Sequence, residues 1–253
     1  MNNYLFDSRR WYRESTAEYF QSIFVADKRP STLRHIPHFL QSTHLKLWKG
    51  YGSGPSELQH LYGLQLLFHY LDWENEINLS FIGKSWNNSL NNETPLEYYI
   101  RQIPDFRDKY FDFALKSTVI DFPFWVDKIN QEIVNLNNGS YWIAGQRHVL
   151  ELTDNNIEGN HSPETKIESW GFASIKLSTS SNQSFNVDFE SNNNNFRYGL
   201  VKVLNEKHEY SEIEKNSVID LEAQQSAYIV IVNMNNDFYS DDSYSYSLNI
   251  SKN

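Results

Sequence analysis

Asn135-Leu-Asn-Asn-Gly-Ser140 is the stretch that decides the fold, because the spacing of apolar residues changes across it. Before it, from Trp11 to about Val134, apolar residues recur at the 3.6-residue period of a helix. After it the period falls towards two, and β-branched and aromatic residues gather in short runs. The expected fold is therefore α+β in two segregated domains. An all-α helical domain occupies 1–136, and an antiparallel β-sandwich occupies 141–253.

Working back from the tract, helix starts are readable. Ser56-Glu-Leu-Gln59 has the form of a capping box ahead of a long apolar-periodic run to Trp73. Thr94-Pro95-Leu96-Glu97 is a stronger start: an N-cap threonine, proline at the first helical position and glutamate at the third. Asp105 opens a run in which Phe106, Tyr110, Phe113, Ala114 and Leu115 share one stripe. Five or six helices are expected.

Working forward, seven runs read as strands: Tyr141–Leu152, Trp170–Leu177, Ser184–Phe189, Phe196–Leu204, Val218–Leu221, Ala227–Val232 and Tyr244–Ile250. Turns rich in Asn, Ser, Asp and Gly separate them, as in an antiparallel sandwich. In the last run Tyr244, Tyr246, Leu248 and Ile250 alternate with Ser and Asn, which predicts one wet face. Asn192–Asn195 reads as a loop tip without chemistry.

A chain of 253 residues suits one large domain or two small ones. Its 22 basic and 32 acidic residues leave a net charge of −10, which argues against a phosphate-neutralising nucleic-acid binder. Sixteen Tyr, sixteen Phe and seven Trp supply a large aromatic core. The absence of cysteine removes disulfides, thiolate zinc sites and cysteine nucleophiles together. No run is long and apolar enough for a membrane span, and the opening MNNYLFDSRRWYRES has no signal-peptide pattern.

The first helix carries the candidate chemistry. At 100° per residue Tyr12, Thr16, Tyr19, Phe20 and Ile23 form one stripe, while Glu14, Glu18 and Gln21 form another turned well away from it. Such a pair of carboxylates either meets water or points at a metal, a substrate or another segment. As acid and base of a glycosidase they are an unusual supply, since i and i+4 of one helix would have to flank a sugar. None of the eight histidines forms H-E-x-x-H. His35-Ile-Pro-His38 reads as a turn with capping or surface roles, and His60 and His69 are too far apart on one helix to share a metal. Gly50-Tyr-Gly52-Ser-Gly54 lacks the lysine of a phosphate loop, and no G-x-S-x-G elbow exists. No complete catalytic set is legible.

Trp11-x-x-Glu14-x-x-Ala17 resembles the third-ligand helix of gluzincin-type zinc metallopeptidases. The likeness continues through Leu61-Tyr62-Gly63, Leu66-Leu67-Phe68-x-Tyr70-Leu71 and Ile77 to Trp86, and Phe106 to Ala114 is similar to the last helix. Trp170-Gly-Phe172, Phe196-Arg-Tyr198-Gly199, Tyr210-Ser211 and Tyr228–Val232 resemble the sandwich of exported bacterial members. The resemblance implies that Glu14 is a zinc ligand, with Trp11, Glu18 and Tyr62 behind it or lining the cleft. It implies zinc as cofactor, a protein or peptide substrate, and an extracellular or cell-surface location. The chain departs from the pattern because the histidines and the glutamate base belong upstream of Glu14, where only 1–10 remain. The expectation is a C-terminal fragment, inactive in isolation, whose catalytic half is encoded elsewhere.

The competing expectation is a non-enzymatic protein that binds glycan or protein through its sandwich. Tyr239, Tyr244 and Tyr246 would stack on sugars, and Asp237, Asp241 and Asp242 would be candidates for calcium.

Overall fold

The computed structural model describes residues 3–25, 30–48, 60–88, 90, 93–123, 126–136, 148–235, 237–238 and 242–253. The tracts 50–54, 56–59 and 137–147, and with them the expected Ser56 cap, the glycine loop and the expected domain junction, lie outside the described residues. The chain forms two compact units. One comprises Met1–Ser42, Leu47–Ile143 and Asp237–Ser240, the other Thr43–Lys46, Ala144–Asn236 and Asp241–Asn253.

The first unit is helical. Its helices are α1 (Asn3–Val25), α2 (Ile36–Gln41), α3 (Gln65–Trp73), α4 (Leu79–Asn88), α5 (Pro95–Gln102), α6 (Phe106–Val119) and α7 (Val126–Leu136), with a 3-10 turn at Pro30–His35 leading into α2. Seven α-helices among the described residues exceed the five or six expected, because six-residue α2 is too short to show a period.

Every residue from Gln65 to Leu71 is buried, Gln65 and His69 among them, so this part of α3 is buried on every side and packs against α1 and α6. Tyr12 of α1 makes edge contacts with Trp11, Phe68 and Tyr99, and its hydroxyl bonds those of Ser85 and Tyr99. Burying so many rings needs such partners for the phenolic oxygens. At α5 the capping box forms as expected: Thr94 Oγ1 accepts from Glu97 N at 3.2 Å, and Thr94 N donates to Glu97 Oε2 at 2.6 Å. The predicted α6 stripe from Phe106 to Leu115 is buried throughout.

The second unit is a sandwich of two main sheets. Its strands are β1 (Leu150–Thr153), β2 (Gly159–His161), β3 (Ile167–Glu168), β4 (Phe172–Ser178), β5 (Gln183–Ser191), β6 (Phe196–Leu204), β7 (Lys207–Ile213), β8 (Asn216–Leu221), β9 (Ser226–Asn233), β10 (Ser243–Tyr244) and β11 (Tyr246–Lys252). One sheet runs β1-β4-β9-β6-β7, the other β2-β11-β5-β8, with β3 and β10 pairing apart. All pairings are antiparallel except β1 with β4, which is parallel. Alternate residues of both sheets, among them Ile175, Ile229, Phe185, Val187 and Leu248, interlock in one core. Phe189 stacks on Tyr198 across it at 4.1 Å.

Residues Thr43–Lys46 belong to this unit. Thr43 O accepts from Phe172 N at 2.7 Å and His44 O from Glu168 N at 2.9 Å, while Lys46 N donates to Glu168 Oε2 at 3.1 Å. Gly171 permits the approach, since a Cβ there would sit 2.5 Å from His44 O. One expectation needs correction. Tyr246 is buried in the core, not offered to a sugar. The Asn192–Asn195 turn is a loop with Asn192, Asn194 and Asn195 exposed, as expected, while Asn193 is buried beneath it and its Nδ2 donates to Asn233 Oδ1 at 2.9 Å.

Candidate functional site

The face of α1 that carries Glu14 and Glu18 is set by what the opposite face buries. Trp11, Tyr12, Ser15, Thr16, Tyr19 and Ser22 are buried, and Trp11 stacks on Phe68 at 6.3 Å. Trp11 is thus a core residue. The hydroxyl of Ser15 lies 2.7 Å from both Trp11 O and Leu61 O, tying the helix to the helical segment 60–63. That tie brings Tyr62 beside the carboxylates. Ile23, expected on the apolar stripe, is exposed at the end of the helix.

Glu14 is half-buried, its side chain 27% exposed, with Arg10 Nε 4.0 Å from Oε1. Glu18 is half-buried as well. Loss of water raises its carboxyl pKa above the ordinary value, the Glu14 charge pushes the same way, and Arg34 opposes. The Tyr62 hydroxyl is raised by burial and by Glu14 and Glu18, with Arg10 opposing. The two carboxylates and the phenol therefore share one field. This part of the expected site is brought together.

His35 and His38 border the same group. His35 is buried, and desolvation, with Arg34 and His38, lowers its pKa to about 4. Arg34 Nε donates to His35 Nε2 at 3.1 Å, so the neutral ring carries its proton on Nδ1. That Nδ1 is buried without a hydrogen-bond partner among the described residues. The His35 ring lies 5.1 Å from that of Tyr62. Burial and Arg34 lower His38 too. The sequence reading of this pair as a surface turn is corrected: Pro37 sits in the first turn of α2, where its missing N–H costs nothing. Gly63, quoted above only as part of a motif, has a steric role that the sequence does not show. A Cβ on it would fall 2.2 Å from His35 O, so only glycine lets Tyr62 stand beside His35.

The arrangement is a half-desolvated acidic face that suits a cation or a hydrogen-bond donor. It does not fit zinc on its own, since one carboxylate does not hold that ion against water and no three His, Cys, Asp or Glu side chains converge among the described residues. The other histidines have structural partners: His60 Nδ1 lies 2.7 Å from Ser42 Oγ and His69 Nε2 lies 2.8 Å from Ser22 Oγ. Tyr244 is half-buried, its hydroxyl accepting from Asn235 Nδ2 at 3.0 Å. Tyr239 and Asp241 lie outside the described residues, and Asp237 and Asp242 fall in different units. No described helix is long and apolar enough to cross a membrane.

No curated protein matches the chain. Among solved structures, the periplasmic inhibitor PliG of g-type lysozyme from Aeromonas hydrophila is 10% identical, with a TM-score of 0.31 over 42% of this chain and 96% of that one. The Salmonella Typhimurium PliG is 13% identical, with a TM-score of 0.29 over 41% of this chain and 98% of that one. Agreement at that level is too slight to bear on function. One match spans nearly the whole sequence, residues 3–251, and by it the chain belongs to DUF6055, a family of unknown function.

Proposed function

We propose that this chain is the C-terminal, glutamate-bearing part of a zinc metallopeptidase-like protein, and that alone it does not hydrolyse peptides. The supporting observation is the half-buried Glu14–Glu18 pair beside Tyr62, on the face of α1 opposite its aromatic core. Holding carboxylates partly out of water is unfavourable, so such a face is a functional candidate. In this reading Glu14 would be one oxygen ligand of a zinc whose histidines come from residues outside this sequence. Glu18 and Tyr62 would set the charge around Glu14. An extracellular or cell-surface location follows from the exported members that the sequence resembles.

The test is to read the DNA ahead of the first codon, in frame and in the neighbouring reading frame. An H-E-x-x-H run is expected there. A clean intergenic region with its own ribosome site would sink the reading. Calorimetric zinc titration of the chain alone should show no specific binding, with Glu14→Gln indistinguishable from the parent.

One observation favours a second reading, a non-enzymatic binding protein whose sandwich is the binding module. Arg10 already answers the Glu14 charge from within the chain, one turn away, as in an ordinary solvated helix pair. Under that reading Glu14→Gln leaves partner binding unchanged.

A further inference from the structure

The two sheets of the sandwich unit part at one end. Between the β6–β7 hairpin of one sheet and the start of β5 and end of β8 of the other lies an open cleft of about 630 Å³. That is the size of a small-molecule site. Leu204 and Leu221 contribute its apolar part. The remaining lining is polar, and it is not a field of one sign: Lys202 and Lys207 are interspersed with Glu209, Asp220 and Glu222. Mixed charge of this kind focuses neither an anion nor a cation, which disfavours nucleotides, phosphate and strongly charged peptides.

The amides define the chemistry. Asn182, Gln183, Asn205 and Gln225 bring side-chain amides to the cleft and Ser184 a hydroxyl, and because Asn182 Oδ1 accepts from Ala223 N at 2.7 Å its Nδ2 is the group left to donate. Gln183 is fixed in orientation: its Nε2 donates to Asp154 Oδ1 at 2.8 Å, a carboxylate that can only accept. Its Oε1 is thereby left as a buried acceptor with no partner among the described residues. Gln225 is itself buried, with Oε1 accepting from Glu222 N at 3.1 Å. Asn205 stands at the tip of the hairpin at φ +50°, next to Glu206 at +63°, a two-residue turn that holds its place rigidly.

We infer that this cleft is a binding site for a neutral oligosaccharide. A polyhydroxylated ligand offers a donor and an acceptor at each hydroxyl, which matches amides and carboxylates better than any charged or apolar class. Among the described residues no aromatic ring lines the cleft. Recognition is therefore by hydrogen bonds to hydroxyl groups and not by ring stacking, and the affinity is modest. The site belongs to the sandwich unit and does not depend on Glu14.

The test uses the whole chain labelled with ¹⁵N, titrated separately with cellotetraose, chitotetraose, tetragalacturonate and tetra-alanine. Cellotetraose or chitotetraose is expected to shift the amides of 202–209 and 220–225. Asn205→Gly, which keeps the turn, and Asp220→Ala, at an exposed position, should each weaken that binding about tenfold with the fold intact by circular dichroism. Glu14→Gln should bind as the parent does, which separates this outcome from the fate of the metallopeptidase reading. The inference is overturned if neither neutral saccharide shifts those amides at about 10 mM. It is overturned too if the cleft variants bind undiminished, or if tetragalacturonate or tetra-alanine binds in preference.

Discussion

Ser22 of α1 and His69 of α3 meet in the interior of the helical unit, Oγ to Nε2, at 2.8 Å. Burial lowers the His69 pKa to about 3, so the ring is neutral in the folded protein. His35 behaves alike, at about 4. The unfolded chain binds a proton at each near the ordinary histidine value of about 6.5. Stability from these two groups is complete above that value and is lost as pH falls from about 6.5 towards 3 to 4. Urea midpoints should drop between pH 7.5 and pH 5, by an amount on the order of a few kcal/mol in unfolding free energy. His69→Gln should flatten that slope. An unchanged midpoint across the range would show that both rings titrate normally.

Glu18 should stabilise the fold when it is neutralised. Its carboxyl pKa is raised, so the folded state disfavours the charged form. Glu18→Gln should therefore unfold later than the parent at pH 7, by on the order of 0.5 kcal/mol. The gain should vanish at acid pH, where the parent side chain is protonated. Melting curves at the two pH values decide it. A loss of stability at pH 7 would mean that the attraction of Arg34 outweighs desolvation.

How far the site and fold can be read beforehand depends on whether a residue's role is local. The Thr94–Glu97 box and the α6 stripe are local, and both are legible because spacing along one helix fixes them. The Glu14–Glu18 face is legible for the same reason. β7 was invisible: Lys207–Ile213 is an edge strand with no fully buried residue, so it carries no hydrophobic alternation. The role of Gly63 and the burial of His35 are equally hidden, since both depend on two segments distant in the chain meeting, the helical stretch 60–63 and the 3-10 turn ending at His35. The cleft between the sheets is not legible because its polar lining comes from four strands and three turns, and polar loop residues look alike in sequence.

Thr94→Ala should cost about 1 kcal/mol, the usual worth of a lost N-cap. Thr94→Ser keeps the oxygen and should cost much less. Chemical denaturation of both variants gives the comparison. Equal losses would assign the effect to the buried methyl group instead of the cap.

Gly63→Ala should destabilise the helical unit by about 1–3 kcal/mol, because the added carbon collides with His35 O. It should also separate Tyr62 from His35, changing the ultraviolet titration of the phenol. A variant as stable as the parent would show that the helical segment 60–63 can recede without loss.

The sandwich is not a portable module. Phe172 and Glu168 donate their backbone N–H groups to Thr43 and His44, more than a hundred positions earlier in the chain. An expression product starting after the Asn135–Ser140 tract would strand both donors and leave a gap over Gly171. Domain-swapping and truncation experiments should therefore carry 43–46 along, supplied as a grafted strap or a synthetic peptide in trans.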